Sequence, residues 1–340
     1  MMTSPPSTSH ADLSITEKKV ILYTFPPVPH AYSITPFGIK VESYLRIHKI
    51  PYEVVYTSAF GPKRKIPYVD LVTSTTSKTT SSDNDSNSST KQIETIPDSN
   101  VIISRLNQEF DNWKLPSGET IAIHDKTLTL KQTAIGHAIT RMIEEHTAII
   151  GFYYRYVLHT EKFLNVLNVP NRLFHADISQ KGAFITKMFR RGIPKSFTKK
   201  MIARGLSCHS DEELWEFSKD DLNAIESLFS DNSCSKYFFG KNHPTSMDCT
   251  LFGHLSQLLY IPMDFPQKEY LKNNCPKLIA FMTDFRTEYW SDWEGKCQRQ
   301  ANKQLSENGE TDDKKGRLRK VIPAMTIVLV ALVAKKLYYN

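Results

Sequence analysis

Cysteine is scarce in this 340-residue chain and is missing from its first half. The five cysteines form no Cys-x-x-Cys pair and no Cys/His cluster at metal-ligand spacing, so the sequence predicts no zinc or dithiol site. Because their number is odd, we expect reduced intracellular thiols rather than a disulfide framework.

A targeting signal is also missing from the N-terminus. No basic region leads into an apolar run within residues 1–16, so the sequence predicts neither a secretory signal nor a transit peptide, and residues 1–17 are expected to form a disordered leader. The net charge of +7 is spread along the chain without the basic helices or interleaved aromatic residues of nucleic-acid binders. We therefore expect no nucleic acid as a partner.

Residues 18–113 show the order strand, helix, three strands, helix. VILYTF predicts the first strand, and TPFGIKVESYLRIHKI predicts a helix with Thr35 as its cap and Pro36 at its first position. After the strand YEVVYT, KIPYVDL predicts a third strand that opens with Pro67, where proline is tolerated at a strand start or in a cis turn. IETIPDSNVIISRLNQEF completes the domain as a strand and a helix that begins at Asp98 and Ser99.

A low-complexity segment interrupts this domain. Residues 73–92 are almost wholly Ser, Thr, Asn, Asp and Lys, and such a composition buries too little apolar area to order itself. The sequence therefore predicts a surface insertion.

The second half of the chain is predicted to be helical over residues 128–295, and a charged linker follows over 296–320. The run VIPAMTIVLVALVA then closes the chain within 321–339, between basic residues and ahead of two tyrosines. Fourteen apolar residues are fewer than the roughly 20 that span a bilayer, but snorkelling lysines and interfacial tyrosines extend the embedded length. We predict a transmembrane tail anchor that leaves the globular domains in the cytosol.

The order of these elements resembles the glutathione transferase superfamily: an α/β thioredoxin-like N-terminal domain followed by an all-helical C-terminal domain. The resemblance covers about Val20 to Trp293. TPFGIKVESYLRIHKIPY, the Asp-Ser pair and the RMIEEH helix are similar to failed axon connections proteins and their metaxin relatives within that superfamily. A basic, short anchor resembles those of mitochondrial outer membrane proteins, with the endoplasmic reticulum and the peroxisome as alternatives.

The resemblance implies a glutathione site. Thr35 takes the place of the family's catalytic Ser or Cys, although a plain helix cap explains it equally well. Ile66 and Pro67 would present backbone to the peptide part of glutathione, and Asp98 and Ser99 would bind its γ-glutamyl end or simply cap their helix.

Other polar positions are interpreted as structural. Where a redox relative has Cys-Pro-Phe-Cys, this chain has a TPFG sequence without either thiol, so thiol-disulfide exchange is excluded here. Thr245 and Asp248 resemble the family's internal capping box. The RMIEEH cluster is expected to form a partly buried salt-bridged network between the domains. Tyr23 and Tyr32 are alternative phenols that core packing explains better.

A basic amphipathic stretch lies between Asp177 and Asp211, which contains no acidic residue. It either lies on anionic lipid or packs on the helical domain.

Two hypotheses follow. The first is an anchored protein that works by binding a protein partner or a membrane surface, alone or as a homo- or heterodimer. The second is a membrane-bound glutathione transferase. No cofactor is obligatory under the first, and glutathione is the candidate ligand or substrate under the second.

Overall fold

Alternating burial around Val20 and Leu22 places these residues in the first strand of a mixed four-stranded sheet. The computed structural model describes residues 13–79, 86–167, 181–229 and 236–298. The strands are β1 (Leu13–Thr24), β2 (Tyr52–Tyr56), β3 (Tyr68–Thr79) and β4 (Ser86–Pro97). They lie in the order β2-β1-β3-β4, in which β1 and β2 are parallel and the other pairs antiparallel.

Two helices complete this domain, α1 (Pro36–Ile47) and α2 (Ser99–Glu109). The predicted order of strands and helices is confirmed, and the Ile66–Pro67 peptide bond is cis. Register explains why distant residues meet here. Tyr23 pairs with Tyr68, and Tyr68 pairs with Pro97, so the end of β1, the start of β3 and the end of β4 share one edge.

The sheet extends beyond the predicted strands in two places. β1 begins at Leu13, within the predicted leader, and β pairing between β3 and β4 runs through most of the 73–92 insertion, apart from 80–85, which lie outside the described residues. Threonine, which is frequent there, is β-branched and favours extended backbone. Backbone pairing between β3 and β4 therefore orders a segment for which the composition alone predicts no ordered structure.

The second domain consists of helices. They are α3 (Leu130–Met142), α4 (Ala148–Tyr153), α5 (Thr160–Val166), α6 (Lys181–Ala203), α7 (Asp211–Leu228), α8 (Ser246–Leu259), α9 (Pro266–Asn274) and α10 (Pro276–Tyr289). Two π-helical segments, Ile143–Thr147 and Tyr154–Leu158, join the first three of these. Cys297 is buried, so the folded part continues past residue 295 into the start of the predicted linker.

The two domains meet where α1 crosses α8. An added Cβ atom at Gly253 in α8 would lie 2.7 Å from the carbonyl oxygen of Pro36 and 3.1 Å from the amide nitrogen of Lys40. The helices therefore approach to near backbone contact, which glycine allows because it has no side chain.

The predicted transmembrane anchor, residues 321–339, lies outside the described residues. Among the helices that the structure does describe, none combines the length and apolar character needed to cross a bilayer.

Candidate functional site

Thr35 stands at the N-cap of α1, where its backbone is extended and Pro36 follows at the first helical position. Its hydroxyl makes no capping hydrogen bond, contrary to the prediction. Instead the Thr35 amide donates to Oγ of Ser33 at 3.2 Å. Only 9% of Thr35 is exposed, so its hydroxyl has little access to a ligand in solution.

Gly38 occupies the position where a redox relative carries its second thiol. A Cβ atom built there would lie 2.2 Å from Oγ1 of Thr24, which is itself buried and has no hydrogen-bond partner among the described residues. Any side chain at residue 38 therefore requires Thr24 to move, and the close packing suits glycine.

The cis Pro67 and the Asp98–Ser99 pair lie at the same edge of the sheet, as their predicted roles require. Asp98 is the N-cap of α2, and its side chain accepts from the Asn100 amide at 3.1 Å. Oδ2 of Asp98 also lies 3.1 Å from Nζ of Lys65. Burial alone would raise the pKa of Asp98, but hydrogen bonds from Lys65 and Asn100 outweigh it and lower that pKa. The carboxylate that would receive a γ-glutamyl ammonium is therefore already paired within the chain.

Ser99 and Ile66 complete this group of predicted ligand residues. Ser99 is buried at 4% exposure, and Ile66, which precedes the cis bond, is partly exposed. The structure thus brings Ile66, Pro67, Asp98 and Ser99 to one place, with Thr35 at the end of the neighbouring loop.

A buried charge network joins the two domains behind these residues. Nζ of Lys40 in α1 lies 2.7 Å from Oε1 of Glu144 and 2.6 Å from Oδ1 of Asn100. Glu144 also accepts from Nδ2 of Asn100 at 2.9 Å and from Arg141. Burial alone would raise the pKa of Glu144, but the charge of Lys40 holds it below its usual value. The predicted structural network around the RMIEEH segment therefore exists.

Lys40 and Asn100 are the members of that network that the sequence analysis missed. Lys40 is only 2% exposed, and it stands between the apolar residues Ile39 and Val41. A lysine on the buried face of an amphipathic helix is the signal that could have indicated a charged partner.

The helical domain also holds the turn before Thr35 directly. Arg155 donates to the carbonyl oxygen of Ile34 at 2.9 Å, and Nε2 of Gln257 donates to that of Ser33 at 3.0 Å. Arg155 is 1% exposed and was not singled out from the sequence. The signal available in the sequence was an arginine within the largely aromatic and apolar segment GFYYRYV.

Aromatic rings surround the guanidinium group of Arg155. The guanidinium carbon lies 4.8, 4.4 and 4.9 Å from the ring centroids of Phe152, Tyr156 and Phe163. Phe197 of α6 stacks on Tyr156 with ring centroids 4.4 Å apart. Arg155 is therefore packed among aromatic rings where the helical domain contacts the turn before Thr35.

The same helix, α6, contains the basic stretch singled out from the sequence. Met201 is buried, while Arg190 pairs with Glu161 and Arg204 with Glu145. This part of the stretch packs on the helical domain, which was one of its two interpretations. Contact with lipid stays a prediction.

Both alternative phenols already donate a hydrogen bond to a carboxylate within the chain. Tyr23 donates to Asp70 at 3.0 Å, and Tyr32 donates to Glu42 at 3.0 Å. Burial and the charge of Asp70 raise the pKa of Tyr23, and burial and the charge of Glu42 raise that of Tyr32. Neither phenol is set up to ionise near neutral pH.

The capping box at the start of α8 forms as predicted. Asp248 accepts from the amide and hydroxyl of Thr245 at 2.8 and 2.9 Å, and from the Phe238 amide at 2.8 Å. Both residues are buried, which supports their structural role. Elsewhere in the described residues, no cluster of three His, Cys, Asp or Glu side chains is arranged to hold a metal ion.

Comparison with known families identifies both domains. The family model for the glutathione S-transferase N-terminal domain matches residues 36–162, and the one for the glutathione S-transferase C-terminal domain matches residues 218–285. A fungal structure, glutathione transferase GSTFuA3 from Phanerochaete chrysosporium, is 15% identical and covers 78% of this chain and 96% of its own, with a TM-score of 0.46. At that TM-score the overlap is too loose to support a functional comparison.

Two relatives are similar in sequence. Failed axon connections of Drosophila melanogaster is 30% identical over 296 residues, which are 83% of this chain and 60% of that protein. The Metaxin-1 homolog of Caenorhabditis briggsae is 31% identical over 104 residues, which are 31% of this chain and 32% of that protein. The chain thus spans less than two thirds of the length of either relative. With both family domains matched and the predicted resemblance confirmed, this chain belongs to the glutathione transferase superfamily, where it is similar to failed axon connections and metaxin proteins.

Proposed function

We propose that this chain is a membrane-anchored protein of the glutathione transferase fold that acts by binding a protein or membrane partner, with no or weak glutathione-dependent catalysis. One observation carries this proposal. Arg155 and Gln257 of the helical domain hold the turn before Thr35, and Thr35 itself is buried.

The candidate glutathione residues support the same conclusion. Catalysis requires a hydroxyl aimed at the glutathione sulfur to favour its thiolate, which is the nucleophile. Thr35 is buried, and Asp98 is paired with Lys65. A γ-glutamyl ammonium would have to displace Lys65, which weakens binding by the free energy of that ion pair.

Calorimetry on the full chain in detergent micelles tests the catalytic part. We expect no saturable heat at millimolar glutathione, and no conjugation of glutathione to an aryl chloride. If pairing of Asp98 limits binding, Lys65→Ala should increase glutathione affinity, whereas Lys63→Ala, a change at an exposed neighbour, should not. Saturable binding that Ser99→Ala weakens, together with turnover that Thr35→Ala abolishes, would instead establish a membrane-bound glutathione transferase.

The anchor rests on the apolar run at 321–334, the basic residues around it and the similarity to metaxin proteins. We place it in the mitochondrial outer membrane with both domains facing the cytosol. A fluorescent fusion of the whole chain should outline mitochondria and become diffuse when residues 321–340 are deleted. Labelling of the endoplasmic reticulum or of peroxisomes would contradict the mitochondrial assignment while retaining an anchor.

The partner is proposed to be a protein, either a second copy of this chain or a different one. Light scattering of the micelle-solubilised chain tests the first case, because a homodimer doubles the protein mass and a monomer excludes a second copy as the partner. Neither outcome depends on glutathione.

A further inference from the structure

A turn rich in positive charge joins β2 to β3. Its residues Lys63, Arg64 and Lys65 are all exposed, and Phe60 just before them is 55% exposed. Lys65 lies 3.1 Å from Asp98, whereas Lys63 and Arg64 form no ion pair among the described residues. The turn therefore presents an aromatic ring and two uncompensated positive charges to solvent.

The backbone conformation of this turn does not account for its side chains. The φ angle is 54° at Lys63 and 56° at Arg64, in the left-handed region that glycine and asparagine adopt more readily than long side chains do. Gly61 packs the turn onto the sheet, since a Cβ atom there would lie 2.3 Å from the Tyr68 ring. Two long basic side chains thus stand where the backbone itself favours smaller residues.

The outer side of α6 carries further positive charge. Arg191, Lys195, Lys199 and Ile202 are exposed and follow one another at helical spacing, so they form one stripe along the helix. Residues 178–210 include no Asp or Glu. Within the described part of the chain, Arg191 and Lys199 form no ion pair. The stripe therefore has positive charge that the chain itself does not neutralise.

The turn and the stripe approach each other at Lys65 and Lys200. Desolvation lowers the pKa of Lys200, and the positive charges of Arg204 and Lys65 lower it further, while Glu145 opposes them. Nζ of Lys200 lies 4.2 Å from the centroid of the Phe197 ring and forms no ion pair with a described carboxylate. Like charges from both domains are thus gathered on one surface, and an anionic partner would relieve their repulsion.

Two exposed apolar side chains indicate the kind of anionic partner. Ile202, at the end of the stripe, is 60% exposed, and Phe60 stands edge-on to Phe25 with ring centroids 6.3 Å apart. Basic residues that attract a protein to a membrane act together with aromatic and aliphatic side chains that enter the interface. A highly acidic peptide has few apolar groups to cover such side chains, whereas a lipid surface offers both anionic head groups and acyl chains.

We propose that the turn at 60–65 and the outer stripe of α6 form one surface that binds anionic phospholipid, with Phe60 and Ile202 entering the interface. This inference rests on the proposed function in one respect, because the C-terminal anchor holds the chain at the membrane and raises the local lipid concentration. The turn belongs to the sheet domain and α6 to the helical domain. Contact through both therefore fixes the orientation of the folded part on the bilayer.

Photocrosslinking of the full chain in proteoliposomes tests this orientation. A benzophenone amino acid replaces Phe60, and the vesicles contain phosphatidylcholine with or without about 30% phosphatidylserine. We expect lipid adducts at residue 60 on the anionic vesicles only. They should disappear when sodium chloride is raised from about 0.1 M to about 1 M, which shortens the screening length from about 10 Å to about 3 Å. The same amino acid in place of Leu130, which is 90% exposed at the start of α3, should give no lipid adducts.

Two variants matched in net charge test the basic residues themselves. Each positive charge near an anionic bilayer strengthens binding about fivefold. Changing Lys63, Arg64 and Lys199 to glutamine should therefore weaken the contact on the order of a hundredfold and nearly abolish the adducts. The control changes three exposed lysines elsewhere to glutamine and should leave the adducts unchanged: Lys49, Lys126 and Lys131.

Flotation of the vesicles separates failure of this inference from failure of the proposed function. A chain that does not float at about 1 M sodium chloride has no anchor, which contradicts the proposed function, while salt-sensitive adducts at residue 60 would still support the surface. A chain that floats but forms no lipid adducts at residue 60 overturns the inference alone. Equal yields on neutral and anionic vesicles, at residues 60 and 130, or in the two triple variants would overturn it as well. In isolated membranes, adducts of residue 60 with a protein instead of lipid would assign the surface to a protein partner.

Discussion

Nζ of Lys40 lies 2.7 Å from Oε1 of Glu144, and the two side chains are only 2% and 4% exposed. Lys40 belongs to the sheet domain and Glu144 to the helical domain, so this ion pair fixes one domain against the other. Two charges excluded from water must compensate each other, because neither is solvated in the interface.

Removing one partner of this pair should therefore destabilise the protein strongly. We expect Lys40→Met to lower the free energy of unfolding by about 3–5 kcal/mol, since Glu144 is left buried without its lysine. Lys49→Met, which breaks an exposed pair with Glu119, should cost about 1 kcal/mol or less. Urea denaturation measures both, and equal losses would show that the buried pair contributes no more than a surface one.

The close crossing of α1 and α8 makes a second prediction. Gly253→Ala should destabilise by about 1–3 kcal/mol, because the new Cβ atom would lie 2.7 Å from the Pro36 carbonyl oxygen. Gly192→Ala in α6 is the matched control, since a Cβ atom there meets nothing within 4 Å. That change should be neutral or stabilise by about 0.5–1 kcal/mol. Thermal unfolding of both variants is the measurement, and stabilisation by Gly253→Ala would contradict the close approach.

Two capping boxes of the helical domain, those at the starts of α7 and α8, allow a third comparison. Asp248 is fully buried, and its removal leaves the Phe238 and Thr245 amides without partners, so Asp248→Ala should cost about 2–4 kcal/mol. Glu213 plays the same part at α7, where its side chain is 58% exposed and water can replace it. Glu213→Ala should cost about 0.5–1 kcal/mol. A similar loss for both variants in urea denaturation would argue against burial as the deciding factor.

A row of three neighbouring histidine rings predicts sensitivity to acid. The rings of His48 and His124 lie 4.6 Å apart, and those of His124 and His243 lie 4.1 Å apart. Burial, followed by the charge of His124, lowers the pKa of His48 to about 3. Unfolded histidine titrates near 6.5, so below that pH the unfolded chain binds the extra proton.

Stability should accordingly fall as the pH drops from 6.5 toward 3, by at most about 2 kcal/mol down to pH 5 from His48 alone. His48→Asn retains an amide that can donate to the Ala122 carbonyl and should flatten this pH dependence. His137→Asn, a change at an exposed histidine, should not alter it. Denaturation midpoints across this pH range decide between the two, and an unchanged slope for His48→Asn would place the acid sensitivity elsewhere.

Local patterns in the sequence predicted much of this structure. The start of α1 at Pro36 and the capping box at Thr245 and Asp248 each depend on a few neighbouring residues, and the cis bond before Pro67 is one of the two interpretations that its sequence allowed. Such signals are short in range, so a sequence alone reveals them.

Contacts between distant residues were not predictable in this way. Arg155 meets Ile34 across 121 residues, and Lys40 meets Glu144 across 104. How much such a contact contributes to stability depends on how far it is buried in the domain interface, because burial determines whether a charge is solvated.

The sequence by itself determined the family, the order of strands and helices, and the absence of a thiol at residues 35–38. Only the tertiary structure decided that Lys65 pairs with Asp98, that Arg155 holds the turn before Thr35, and that Arg155 is buried with no carboxylate partner among the described residues. The physical reason is that composition and spacing specify which groups are present. The pKa of such a group and its availability to a ligand, in contrast, depend on burial and on partners that folding brings from far along the chain.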